Sequence, residues 1–187
     1  AASGGSVPYT ITSAPPRVRA ADIHELPPAE VKWLARKVID TESPVHISEV
    51  VRRVTTLAGA APAGARVPVT VRSAVDELVR TGHARYQGEF VWLATMTSPP
   101  VRDRSQIPSQ MRRIDNIAPE EVEAAVRAAI SSGFGMPAEE AVSRAGRLLG
   151  FQRLQGSTRT AMVTAVRRLI ASGELEKRSN GQIFVVK

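Results

Sequence analysis

Shifted by 91 residues, this chain matches itself. Pro28 falls on Pro119, Glu30 on Glu121, Val31 on Val122, Arg36 on Arg127 and Ile39 on Ile130. Glu49 falls on Glu140, Val51 on Val142, Arg53 on Arg144, Leu57 on Leu148 and Gly59 on Gly150. Ala74, Val75, Leu78 and Gly82 meet Ala165, Val166, Leu169 and Gly173, and Ile23 meets Ile114. That is fifteen identities over sixty positions without a gap. Helical periodicity alone would not hold one register so long, so the sequence predicts a duplicated domain.

Each copy then has to fold by itself. In the first, Pro27-Pro28-Ala29-Glu30 reads as a helix start, with proline in the first turn and acid at the positive dipole end. Val31, Leu34, Ala35, Val38 and Ile39 form an apolar stripe at helical spacing. Pro44-Val45 is a short extended piece. A second helix follows through Ile47, Val50, Val51 and Val54, and then an Ala/Pro/Gly loop from Gly59 to Gly64. A third helix runs through Val71, Val75 and Leu78 and stops at Gly82. His83 to Tyr86 and Glu89 to Leu93 read as a hairpin turning at Gln87-Gly88. In the second copy, aligning Ile183-Phe184-Val185-Val186 with Phe90-Val91-Trp92-Leu93 calls for two more turn residues.

Helix, short strand, helix, helix and hairpin in about 70 residues is the order of a winged helix-turn-helix. The predicted fold is therefore α+β and mainly α: two winged helix-turn-helix domains in tandem, at a 91-residue offset. The boundaries expected are a flexible arm or linker over 1–22, a first domain over 23–94, a connector over 95–113 and a second domain over 114–187. Arg17 and Arg19 in the arm are expected to be solvated.

The net charge of +7 raises the prospect of a nucleic-acid partner. Its distribution tempers that. The connector carries four Arg against one Asp, whereas 23–94 carries nine basic against eight acidic residues and 114–187 ten against eight. DNA affinity would have to come from basic residues clustered on one face.

The second copy offers the better cluster. Ser157 to Gly173 reads as a helix whose stripe of Met162, Ala165, Val166, Leu169 and Ile170 is buried. Thr158, Arg159, Thr160, Thr164, Arg167 and Arg168 lie off that stripe, with side chains of the kinds that meet phosphates and base edges. With Arg153 before the helix, and Lys177 and Arg178 in the wing, all of these but Arg168 form the expected DNA-binding set. In the first copy Arg66 and Arg72 are the matching candidates, but Asp76 and Glu77 lie among them and would repel phosphate.

At this point the sequence resembles a bacterial family. The resemblance rests on Ser43-Pro44-Val45-His46 leading to Glu49-Val50-Val51-Arg52-Arg53, and on Gly64-Ala65-Arg66-Val67. It extends to Val101-Arg102-Asp103-Arg104, Arg112-Arg113-Ile114, and Arg144 with Leu148-Leu149-Gly150-Phe151. The family forms the C-terminal domain-of-unknown-function module of large superfamily 1 helicase-like proteins that often carry a Vsr-type endonuclease-like domain. The resemblance covers roughly residues 23–187. It implies that the chain is the C-terminal region of a parent that does ATP-driven work on nucleic acid, with attached helicase or nuclease domains as partners. It also implies a basic residue near position 157, where this chain has Ser.

Catalytic chemistry finds little support in the residues. There is no Gly-x-x-x-x-Gly-Lys-Ser/Thr phosphate loop, and Gly133-Phe134-Gly135 is too short to replace one. His24, His46 and His83 lack spaced partners and there is no cysteine, so neither a metal nor another cofactor is expected. His46 is expected to cap the second helix. Glu120-Glu121 and Glu139-Glu140 are explained by first-turn positions in helices. No apolar run approaches the ~20 residues that cross a bilayer, so no membrane partner is expected. The missing cysteines suit a cytoplasmic setting. The segment is thus expected to be a non-enzymatic DNA-binding module without a small-molecule substrate. The alternative is a module that docks on a motor domain or another protein.

Overall fold

A computed structural model describes residues 5–13, 22–60, 66–130 and 135–186, with Arg66 described in its backbone only. Arg17, Arg19, most of the Gly59–Gly64 loop and Gly133-Phe134 lie outside the described residues. The fold is α+β and mainly helical, with six α-helices and short strands among the described residues. Two compact units divide the chain: Thr10–Thr97, and Ser98–Lys187 together with Ala1–Tyr9.

In the N-terminal unit, α1 (Pro28–Glu42) opens with proline in its first turn and Glu30 beside it. Val31, Leu34, Ala35, Val38 and Ile39 are all buried, so the apolar stripe faces the core. Each such side chain, fully buried, contributes about 1.5–3 kcal/mol of transfer free energy, apart from the smaller alanine. Strand β2 (Val45–His46) leads directly into α2 (Ile47–Ala58), where His46 Nδ1 accepts the Ser48 N–H and caps the helix. Gly59, at φ 70°, ends α2 in the left-handed conformation that suits glycine. Helix α3 (Arg66–Arg80) then feeds the hairpin of β3 (Ala84–Gln87) and β4 (Phe90–Leu93). The sheet order is β2-β4-β3, antiparallel, with Val45 and Tyr86 both opposite Val91.

The C-terminal unit runs through the same elements in the same order. They are α4 (Pro119–Ile130), β6 (Met136–Pro137), α5 (Ala138–Leu148), α6 (Gly156–Ala171), β7 (Leu175–Lys177) and β8 (Gln182–Val185). Strand β5 (Arg102–Asp103) precedes them in the chain. The sheet order, β6-β8-β7, repeats that of the other unit. Helices α1 and α4, strands β2 and β6, helices α2 and α5, and strands β3 and β7 all begin 91 positions apart.

The hairpin differs from expectation. Met136 lies opposite Ile183 and Pro137 opposite Gln182, as Val45 and His46 lie opposite Val91 and Phe90. Ile183 therefore takes the place of Val91, an offset of 92, and the second turn gains one residue relative to the first, not two. The reason is burial: the residue opposite β6 must fill the core, and Ile183 is fully buried. Sliding the strand by a further residue would turn Ile183 outward.

A second parallel between the units lies in their charges. Lys32 on α1 donates to Glu77 on α3 at 2.6 Å. The same positions in the C-terminal unit are Glu123 on α4 and Arg168 on α6, 3.9 Å apart with the signs exchanged.

Part of the expected arm and connector is built into the fold. Strand β1 (Val7–Pro8) pairs in parallel with β5. Thr12 donates through both its N–H and its hydroxyl to Glu42, a fully buried carboxylate that also takes the Arg53 Nε–H at 3.0 Å. The connector's Arg102 and Arg104 are buried around Glu121, which is 0% exposed. Arg104 donates from both terminal nitrogens at 2.8 and 2.9 Å, and Arg102 through its backbone N–H, Nε and Nη2. Tyr9 lays its ring against both guanidinium groups. The stretch that is most basic in sequence thus turns two of its four arginines inward, because a buried carboxylate needs them.

Candidate nucleic-acid interface

Helix α6 owes its two faces to a simple pattern. Met162, Ala165, Val166 and Leu169 are buried, and every exposed residue of the helix is Gly, Ser, Thr, Ala or Arg. The helix contains no Asp, Glu, Asn or Gln. On its outward line Thr160, Thr164 and Arg167 follow one another at four- and three-residue steps and are exposed.

The expected basic residues divide among different surroundings. Arg167 on α6, Lys177 on β7 and Arg153 in the loop before α6 are exposed, and their side chains have no partner among the described residues. Arg159 turns to the flank and donates to Glu139 of α5 at 2.7 Å. Arg178 lies over the Phe184 ring at 4.0 Å, with Glu176 Oε1 4.0 Å from its Nε. Thr160 donates its hydroxyl to Gly156 O at 3.1 Å, so that proton is not available to a phosphate. Thr158 is half-buried in the first turn, its N–H donating to Gln155 O. Thr164 is exposed. Arg72 is 3.8 Å from Glu89, and the side chain of Arg66 lies outside the described residues. The structure also offers Arg147, exposed near the end of α5 without a partner among the described residues, which no sequence pattern singled out.

The two units differ most where helix meets wing. In the N-terminal unit the Tyr86 hydroxyl donates to Asp76 Oδ1 at 2.9 Å, joining β3 to α3. Burial, then the hydrogen bond to Asp76 and its charge, push the Tyr86 pKa up to about 12. Tyr86 therefore stays protonated as the donor across the physiological range. The positions 91 residues on are Arg167 and Lys177. Lys177 lies opposite Ile183 as Tyr86 lies opposite Val91, so the register of the two hairpins agrees at this point. A carboxylate and a phenol are replaced by two cations.

Acidic groups near α6 are largely occupied. Glu174, just after the helix, accepts Arg127 Nε–H at 2.7 Å, and that hydrogen bond holds its carboxyl below the ordinary range. Burial raises the pKa of Glu123, the half-buried partner of Arg127 and Arg168, against the pull of their charges. The outward line of α6 is thus free of its own carboxylates.

Among the described residues no group of three His, Cys, Asp or Glu is placed to hold a metal ion, and no helix is long and apolar enough to cross a membrane. The profile of the family described as "Protein of unknown function (DUF3320)" matches residues 21–68. That stretch covers α1, β2 and α2 of the N-terminal unit and reaches the first residues of α3; it includes the buried Glu42–Arg53 pair and does not reach α6. Neither curated proteins nor solved structures yield a match to the chain.

Proposed function

We propose that this chain is a non-catalytic, tandem winged-helix module that binds nucleic acid, DNA foremost, through the helix–wing face of its C-terminal unit. The observation that carries this reading is the exchange of Asp76 and Tyr86 for Arg167 and Lys177. A hydrogen-bonded acid–phenol pair closes that face in one unit, and two cations whose side chains have no partner among the described residues open it in the other. Phosphate contacts by such cations supply most non-specific affinity for nucleic acid.

Duplication of one domain is supported by the shared element order, by the 91-residue spacing and by the exchanged Lys32–Glu77 and Glu123–Arg168 pairs. A compensated reversal of sign is what conserved geometry between two drifting copies would leave. On the resemblance to helicase-like proteins, the module would be the C-terminal accessory region of a cytoplasmic motor or nuclease, which it would hold on its substrate.

A second reading belongs to the N-terminal unit. Its matching face presents Val69, 63% exposed, and Tyr86, 38% exposed, beside Asp76. Apolar and aromatic groups at that place suit protein docking better than phosphate.

Fluorescence anisotropy with the full chain tests the proposal. Replacing Arg167 and Lys177 with Ala should weaken binding roughly tenfold per lost phosphate contact at about 0.1 M salt. Arg159→Ala, which removes a side chain already paired to Glu139, should change affinity much less. Equal losses from both would refute the assignment of the face.

A further inference from the structure

Resting on the C-terminal unit as the binding unit, we infer that its ligand is duplex nucleic acid, held by the phosphate backbone with little or no reading of base sequence. The residues on α6 limit what it can read. Adenine is read by the amides of Asn or Gln and cytosine by carboxylates, and the helix carries none of these. Guanine is read by a guanidinium, and Arg167 is the single arginine on the outward line. The Thr160 hydroxyl proton is held by Gly156 O, which leaves Thr164 as the hydroxyl donor of that line.

Single strands are bound differently. Their bases stack on exposed aromatic rings, each worth about 1–3 kcal/mol. The described part of this unit has three such rings, and all are occupied. Arg102 and Arg104 cover Tyr9, Arg178 covers Phe184 at 4.0 Å, and Phe151 packs against the core. What remains is a set of separated cations, which suits the regularly spaced phosphates of a duplex.

The number of cations sets the salt dependence. Arg153, Arg167 and Lys177 have no partner among the described residues, and Arg178 adds a fourth charge. For three to four neutralised phosphates, log K falls against log salt with a slope of about −2.7 to −3.6, roughly 40- to 150-fold between 50 and 200 mM.

The test titrates the full chain with labelled duplexes of equal length and unrelated sequence, and with their separated strands, at two or more salt concentrations. Affinities among the duplexes should agree within about fivefold, below the discrimination of even one bidentate base contact. The single strands should bind at least about tenfold more weakly, since no aromatic ring among the described residues of this unit is left open for stacking. Arg167→Ala should lower every duplex affinity alike and flatten the salt slope by about one. A larger spread among duplexes, or an Arg167→Ala loss confined to one sequence, overturns backbone-only binding. Single strands binding as tightly as duplexes overturn the choice of ligand. Absence of binding to either at low salt overturns the nucleic-acid reading itself.

Discussion

Replacing Glu121 with Gln should destabilise the C-terminal unit more than any other single change of comparable size. The side chain is 0% exposed and accepts five hydrogen bonds, three from Arg102 and two from Arg104. Gln keeps the shape but loses the charge, and its amide nitrogen replaces one oxygen that now accepts from guanidinium N–H groups. Two buried cations are then left without a counter-charge. Breaking a buried ion pair from one side costs about 3–5 kcal/mol. For a unit of this size, 1 kcal/mol corresponds to roughly 4–8 °C, so a loss of about 4 kcal/mol lowers Tm by roughly 15–30 °C. Far-UV circular dichroism follows the loss. Emission from Trp33 and Trp92 reports the other unit, since both lie within Thr10–Thr97. Glu140→Gln is the control: its pair with Arg144 is exposed on both sides and should shift Tm by less than about 4 °C. If Glu121→Gln matches that control, the cluster is not the buried tie described here.

The same residue gives a pH dependence with a definite sign. Burial opposes the Glu121 charge, but the hydrogen bonds and charges of Arg104 and Arg102 outweigh it and hold the carboxyl below its ordinary 4.5. A depressed carboxylate contributes stability that is complete above the unfolded value and lost as pH falls through the folded one. Tm of the native chain should therefore drop more steeply below about pH 4.5 than that of the Glu121→Gln variant. Gly150→Ala tests the seam beside this cluster. Gly150 has φ +91°, and an added Cβ would lie 2.4 Å from Ser105 N. Chemical denaturation should show a loss of about 2–3 kcal/mol, and a neutral result would refute the close approach. Asp76→Arg with Tyr86→Lys transfers the open helix–wing face to the N-terminal unit. Anisotropy should show nucleic-acid affinity rising roughly tenfold, and unchanged affinity would mean that the two faces are not equivalent.

The apolar stripes were legible because burial follows helical spacing: every residue expected on the α1 stripe is buried, as are Met162, Ala165, Val166 and Leu169 of the α6 stripe. The His46 cap was legible because capping is local. The Glu121 cluster was not, because Arg102 and Arg104 precede their partner by 19 and 17 positions and nothing in a charge count says which way an arginine turns. The same blindness affects the site. Arg159, Arg167 and Arg178 look alike in sequence, yet one is tied to Glu139, one is free of partners among the described residues and one stacks on Phe184. The hairpin register differs by one residue from that expected of the sequence because Ile183-Phe184-Val185-Val186 is uniformly apolar. Only the pairing with β6 decides which of its members faces the core.

On the proposed reading, the helix–wing face of the C-terminal unit, and not its counterpart, touches nucleic acid. Amide chemical-shift mapping of the full chain, titrated with a short DNA duplex, tests it most directly. Shifts should gather on Thr160, Thr164, Arg167, Lys177 and Arg178, with Val69, Asp76 and Tyr86 unmoved. Shifts gathered instead on Val69, Asp76 and Tyr86, or none at saturating DNA, would contradict it.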